Sequence, residues 1–159
     1  MRWMISVFSA LSMASASQGA DLVTHNSVLI QAPAEKIWPH IVDPNEWKAG
    51  AQLLPADEKG QVFKAVMPDR PDQALFTVVN VESVENRRRT IRLSALDGAL
   101  MGYATWHLED VNDATLVTYD VYSYFAELPE GVTEAAWVKE SEERYQAELE
   151  ALRRMVQGD

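Results

Sequence analysis

The chain has 159 residues, of which 47% are hydrophobic, and its formal net charge at pH 7 is −10. This length suits one domain with an apolar core, and the hydrophobic fraction argues against disorder. The acidic balance argues against the basic surface that nucleic-acid phosphates require. The absence of cysteine excludes disulfide bonds, thiolate metal sites and a cysteine nucleophile.

The first twenty residues differ from everything that follows them. Arg2 leads an apolar run over residues 3–13, and no acidic residue precedes Asp21. This order is typical of a secretory signal peptide, and Ala14-Ser15-Ala16 fits the cleavage pattern of small residues, with Ala20 as the alternative. A misplaced start codon and a disordered tail on a cytoplasmic protein are the other interpretations.

We therefore expect residues 1–20 to be a signal peptide and residues 21–159 to form one domain. The apolar run is much shorter than the roughly 20 residues that cross a bilayer, so we expect no transmembrane span. A cleaved signal peptide would place the mature domain in the periplasm or the medium.

A strand and two short helices are predicted next. Residues 22–31 have the β-branched and apolar content of a strand. Pro33 suits the first turn of a helix, whereas Pro39 lies inside that helix and removes one backbone hydrogen bond. The Asp43-Pro44-Asn45 sequence ends the helix, and a second short helix that contains Trp47 follows.

From residue 51 the pattern becomes that of strands joined by tight turns, which favours an antiparallel meander. The predicted strands are QVFKAVM, ALFTVVNVESV, RTIRLSAL, YATWHLED and ATLVTYDVYSYF. The turn signals are Lys59-Gly60, residues 69–72, Asp97-Gly98 and Asn112-Asp113. Residues Arg87 to Arg89 are interpreted as a solvated hairpin turn, with contact to an anion or a lipid headgroup as the alternative.

The chain ends in one long predicted helix, from about Val132 to Val156. Its apolar residues fall on one face, which has to be buried against the sheet. These residues are Val138, Tyr145, Leu149, Leu152 and Val156. The acidic residues between 134 and 150 are interpreted as a solvated face. The spacing also predicts ion pairs between Glu140 and Arg144 and between Glu150 and Arg154.

Two segments resemble the START-like helix-grip superfamily (SRPBCC), which includes polyketide cyclases, dehydrases and lipid-transfer proteins. They are SVLIQAPAEKIWPHIVDPNEW, residues 27–47, and YATWHLEDVNDATLVTYDV, residues 103–121. The resemblance covers about residues 25–157. It implies an α+β fold in which a curved antiparallel sheet wraps around the long C-terminal helix, with two short helices after the first strand. It also implies a cavity between sheet and helix for a hydrophobic small molecule or lipid.

Strand alternation indicates which side chains face that cavity. The more apolar phases are Gly102, Ala104, Trp106 and Leu108, then Val117, Tyr119, Val121, Ser123 and Phe125. The small Gly102 and Ala104 would leave space beside Trp106. The candidate ligand-binding residues, each with core packing as the alternative, are Trp47, Trp106, Tyr119, Ser123, Phe125 and Trp137.

No catalytic residue is assigned. The three histidines, His25, His40 and His107, lack metal-ligand spacing, the Gly-x-Ser-x-Gly serine motif is absent, and no cofactor is indicated. The leading hypothesis is an exported protein that binds a hydrophobic ligand for transport, sequestration or sensing. The alternatives are a cyclase, dehydrase or hydrolase that uses Tyr119 or a pocket carboxylate as acid or base, and a protein-interaction module that uses the sheet or its rim.

Overall fold

The computed structural model describes residues 19–48 and 50–158. The elements in chain order are β1 (Ala20–Ile30), α1 (Ala34–Val42), a 3-10 helix (Pro44–Glu46), β2 (Gln52–Pro55), β3 (Val62–Met67), β4 (Arg70–Val84), β5 (Arg88–Ala95), β6 (Leu100–Val111), β7 (Ala114–Phe125) and α2 (Glu134–Gln157). The predicted signal peptide, residues 1–20, lies outside the described residues except for Gly19 and Ala20. The remaining elements confirm the predicted α+β helix-grip fold.

The strands form one antiparallel sheet in the order β1-β7-β6-β5-β4-β3-β2. Strands β3 to β7 are the predicted meander. Strand β2, which was not predicted, extends it at one edge, and β1 pairs with β7 at the opposite edge. Three of the predicted turns contain a residue with positive φ, as tight turns between antiparallel strands often require. These residues are Gly60, Gly98 and Asn112.

The turn between β4 and β5 is centred on Asn86, whose φ is 59°. Arg89 belongs to β5 and is only 2% exposed, so the interpretation of a solvated arginine turn is wrong for this residue. Its guanidinium donates to the carbonyl oxygens of Ile41 and Val42 at the C-terminus of α1, and to Asn80 Oδ1 at 3.3 Å. A cation is favourable there because the last carbonyls of a helix lack partners within the helix.

Helix α1 buries one apolar face, formed by Ala34, Ile37, Trp38 and Ile41. Pro39 lies within the helix and is exposed. Its missing N–H would have bonded to the carbonyl of Glu35, which is also exposed, so water can satisfy that oxygen. The helix therefore continues through Pro39 and ends at Val42.

Helix α2 lies against the inner face of the sheet at β1. Its N-cap, Thr133, accepts a hydrogen bond from the backbone N–H of Ala136. Asn26 Nδ2 donates to the Glu142 carbonyl at 3.0 Å, and Gln146 Nε2 donates to the Ser27 carbonyl at 3.2 Å. The predicted apolar stripe is confirmed at its centre, where Tyr145, Leu149 and Leu152 are buried.

The predictions about the charges of α2 are wrong at Glu148 and for both ion pairs. Glu148 is buried and does not belong to a solvated face. Glu150 pairs with Arg153 Nε at 2.8 Å instead of with Arg154, and Arg144 donates to the hydroxyl of its neighbour Tyr145 instead of pairing with Glu140. Within residues 19–48 and 50–158, no helix has the length and apolar character needed to cross a bilayer.

Candidate ligand cavity

A cavity of about 430 Å³ lies between the inner face of the sheet and α2. This size falls within the range of about 300–1,000 Å³ that is usual for ligand pockets. Gly50 and Arg144 contribute to its wall and are exposed, so the cavity reaches the surface beside them. Most of the wall is apolar and includes Leu53, Phe76, Val78, Ile91, Leu93 and Val121.

Strands β6 and β7 contribute the aromatic part of the wall. Trp106 is 1% exposed and stacks on Tyr119, with ring centroids 4.5 Å apart. Tyr145 of α2 meets the Tyr119 ring edge-on at 5.2 Å. Such contacts add stability beyond area burial, so these three rings join the sheet to the helix beside the cavity.

Lys48 brings a positive charge into this aromatic group. It follows the 3-10 helix, and its Nζ donates to the Tyr119 hydroxyl at 3.4 Å. The same nitrogen lies 5.9 Å and 5.4 Å from the ring centroids of Trp106 and Tyr119, within cation–π range. Glu148 Oε2 of α2 lies 3.3 Å from Nζ. That contact lacks hydrogen-bond alignment, so it acts as an ion pair.

The protonation states follow from this arrangement. Burial acts to lower the pKa of Lys48, but Tyr119 and the Glu148 carboxylate outweigh it and raise that pKa. Burial raises the pKa of Tyr119 to about 12, although Lys48 opposes the shift. At neutral pH Lys48 is therefore an ammonium and Tyr119 a neutral phenol. The pair can donate hydrogen bonds to a ligand oxygen, but Lys48 cannot act as an amine nucleophile.

Four of the six predicted site residues line the cavity: Trp106, Tyr119, Ser123 and Trp137. The predicted inward phases of β6 and β7 agree with this, because Trp106, Tyr119 and Ser123 are buried, whereas Tyr122 and Tyr124 in the opposite phase are exposed. Ligand contact at the four lining residues stays a prediction.

Trp47 and Phe125 are not among the lining residues. Trp47 is 8% exposed, and its Nε1 donates to the His40 carbonyl at 2.7 Å, which holds the indole in the core below α1. Phe125 packs edge-on against Trp137, with centroids 5.1 Å apart, and so supports a lining residue from behind. Core packing, the alternative given for each candidate, therefore describes Trp47, and its neighbour Lys48 lines the cavity instead.

The small residues Gly102 and Ala104 are buried but do not line the cavity, so they do not create the space beside Trp106. A Cβ at Gly102 would lie 2.5 Å from the carbonyl oxygen of Tyr122 on β7. Glycine is required there because the two strands approach too closely for a side chain.

Sequence reasoning missed Lys48, Arg89, Arg144 and Glu148 as cavity residues. A signal existed for Glu148, which lies three residues after Tyr145 and four before Leu152 and so falls within the apolar stripe of α2. No comparable periodicity marks Lys48 in its irregular segment. Among the residues that the structure describes, no group of three histidines and carboxylates is placed to hold a metal ion.

A curved antiparallel sheet closed by one long helix over an apolar cavity defines the helix-grip class of proteins. The chain belongs to the polyketide cyclase / dehydrase and lipid transport family, within the SRPBCC superfamily, and the sequence profile of that family matches residues 22–157. No curated protein matches the chain in sequence.

Solved structures with the same fold are distant in sequence. A conserved protein from Geobacillus kaustophilus is 12% identical, with a TM-score of 0.70 over 86% of this chain and 96% of that one. DynU16, from the dynemicin biosynthetic locus, is 18% identical, with a TM-score of 0.61 over 85% of this chain and 47% of that one. Ara h 8.0201 is 11% identical, with a TM-score of 0.64 over 88% and 100%. At these identities the likeness concerns the fold alone.

Proposed function

We propose that this protein is an exported carrier that holds one hydrophobic small molecule or lipid between its sheet and α2. The observation that carries the proposal is the cavity of about 430 Å³ with its mostly apolar wall. The cavity is open to solvent and lined by apolar side chains. Displacement of its water by an apolar ligand of suitable size therefore lowers the free energy. Membership of a family named for lipid transport agrees with this use.

Export is the second part of the proposal and rests on the sequence of residues 1–20. The positive residue, the apolar run and the small residues before Ser17 form the order that the secretion machinery recognises. Removal of this segment would leave a cysteine-free domain for the periplasm or the medium. This location suits a carrier that binds a ligand present outside the cytoplasm.

Native mass spectrometry of the purified protein tests ligand binding, together with titration by the neutral fluorophore N-phenyl-1-naphthylamine. Leu53 lines the cavity, whereas the next residue on β2, Leu54, is 40% exposed. The variant Leu53→Trp should narrow the cavity and weaken fluorophore binding about ten-fold, because the added ring occupies ligand space. The matched variant Leu54→Trp should bind the fluorophore as tightly as the wild-type protein does.

The proposal fails if the protein is always recovered empty and does not bind the fluorophore. It fails equally if Leu53→Trp and Leu54→Trp bind the fluorophore alike, because the binding surface then lies elsewhere. Circular dichroism of both variants checks that each retains the fold.

Catalysis in the same cavity is the second candidate function, and the hydrogen bond from Lys48 to Tyr119 favours it. A neutral phenol beside an ammonium can donate to the oxygen of a bound carbonyl compound and stabilise negative charge that develops there. This is the kind of stabilisation that a cyclase or dehydrase of an apolar carbonyl substrate needs.

The test uses the molecule that mass spectrometry recovers from the Tyr119→Phe variant, which should retain unconverted substrate because it lacks the phenol while it preserves the ring packing. Incubation of that molecule with the wild-type protein should change its mass or, for a cyclisation without loss of water, its chromatographic retention. A molecule that is unchanged in both mass and retention argues against catalysis and leaves only the carrier function.

A further inference from the structure

The cavity concentrates positive charge within an acidic chain. The sequence contains 14 lysines and arginines against 24 acidic residues. Nevertheless, within residues 19–48 and 50–158 the residues that line the cavity include Lys48, Arg89 and Arg144, but only one carboxylate, that of Glu148. A solvated surface of this protein would be expected to show the opposite balance. The excess of cations is therefore a property of the cavity and indicates the charge of what it holds.

The three cations are not equally available to a ligand. Arg89 is committed to the carbonyls at the end of α1 and to Asn80. Lys48 shares its charge with Glu148. Arg144 has no carboxylate within 4 Å among the described residues; its guanidinium donates to the Tyr145 hydroxyl and lies 4.9 Å from the centroid of the Tyr145 ring. Lys48, Arg144 and Glu148 together leave one positive charge without a counter-charge.

The same wall carries a buried donor without an acceptor. Trp106 is 1% exposed, and its Nε1 has no hydrogen-bond partner among the described residues. A buried N–H left without a partner is destabilising. Trp106 stacks on Tyr119, Tyr119 accepts from Lys48, and Tyr145 connects this group to Arg144. The unpaired donor and the two cations therefore belong to one continuous aromatic wall.

We propose that the ligand is an apolar organic acid whose carboxylate is bound by Lys48 and Arg144, with the indole N–H of Trp106 as a further donor. This inference rests on the proposed binding function and names its ligand class. One carboxylate balances the positive charge that Lys48, Arg144 and Glu148 leave between them and supplies the acceptors that the wall lacks. The aliphatic or aromatic remainder of the acid occupies the apolar part of the cavity, beside residues such as Phe76 and Leu93.

Competition between two molecules with the same tail tests the proposal. Decanoate and 1-decanol are used to displace N-phenyl-1-naphthylamine from the full chain at pH 8, where decanoate is ionised. The wild-type protein should bind decanoate at least as tightly as 1-decanol, although the charged molecule is better hydrated. The preference for decanoate should fall about ten-fold in Lys48→Gln, because a hydrogen bond to a charged group is lost, and about three-fold in Arg144→Gln.

Arg154→Gln is the matched control, since Arg154 is an exposed residue of α2 outside the cavity wall and its loss changes the net charge equally. It should leave the preference unchanged. Arg144 is exposed, so its variant tests the idea even if Lys48→Gln fails to fold. If the wild type, Arg144→Gln and Arg154→Gln prefer decanoate over 1-decanol by the same factor, the inference is wrong, but the proposed binding function is retained. Failure of the fluorophore and both ligands to bind overturns the inference and the proposed function together.

Discussion

The ion pair between Lys48 and Glu148 can be tested through stability, and Glu148→Gln is the informative perturbation. The two charged atoms are 3.3 Å apart, and the side chains are 25% and 10% exposed. At that distance an effective dielectric constant of about 20 gives a gross attraction of about 5 kcal/mol. Glutamine preserves the shape of the side chain but removes the charge, so Lys48 keeps a largely buried ammonium without a counter-ion.

Loss of one partner from a buried pair costs about 3–5 kcal/mol. Because Lys48 remains a quarter exposed and keeps its bond to Tyr119, we expect the lower end of this range, about 3 kcal/mol. Removal of both charges in Lys48→Met/Glu148→Leu should cost less than about 1 kcal/mol, since no uncompensated ion is left. With the single variants Lys48→Met and Glu148→Leu, the double-mutant cycle should therefore show a coupling of about 2 kcal/mol or more.

Urea unfolding followed by circular dichroism measures these free energies, provided that the transition is two-state. Glu143→Gln, at an exposed position of the same helix, is the matched control and should change stability by less than about 0.5 kcal/mol. If Glu148→Gln behaves like this control, or if the double variant costs as much as the two single variants combined, the reasoning about the pair is wrong.

Three further predictions concern other parts of the chain. Burial raises the pKa of Tyr119 to about 12, whereas tyrosine in the unfolded chain has a pKa of about 10. The stability that the neutral phenol contributes is therefore complete below about pH 10 and is lost as the pH rises to about 12. The free energy of unfolding of the wild type should fall by about 3 kcal/mol over that interval, and that of Tyr119→Phe by clearly less. If urea unfolding shows the same loss in both proteins, the assignment of the pH dependence to Tyr119 is wrong. Gly102→Ala should lower stability by about 1–3 kcal/mol because its Cβ meets a backbone carbonyl, and an unchanged urea midpoint contradicts this. Exported protein should begin at Ser17 by intact mass, whereas recovery only of the full chain inside cells contradicts export.

The fold was predictable because it is encoded in repeating patterns. The alternation in β6 and β7 assigned Trp106 and Tyr119 to the buried face, and the apolar stripe of α2 identified Tyr145 and Leu149. In both cases many residues report on the same orientation, so an error at one position does not alter the result. The Asp43-Pro44 break likewise has a direct backbone cause, since proline restricts the residue before it and cannot donate a hydrogen bond.

The polar part of the cavity was not predictable in the same way. Glu148 belongs to a run of charges that is typical of solvated helix faces, and only its partner Lys48, a hundred residues earlier in the chain, makes its burial favourable. Arg89 adjoins two other arginines in sequence, and its role depends on the end of α1. In each case one distant contact decides the side-chain position, and a local pattern cannot specify such a contact.

The bond between the Trp47 indole and the His40 carbonyl has a consequence for how this fold can diversify. It fixes the backbone immediately before Lys48, so the residue that anchors this segment and the residue that lines the cavity are adjacent but have separate roles. A chain that keeps tryptophan at position 47 and changes positions 48 and 148 together retains its framework while it alters the chemistry of the cavity, because no buried charge is then left without its partner.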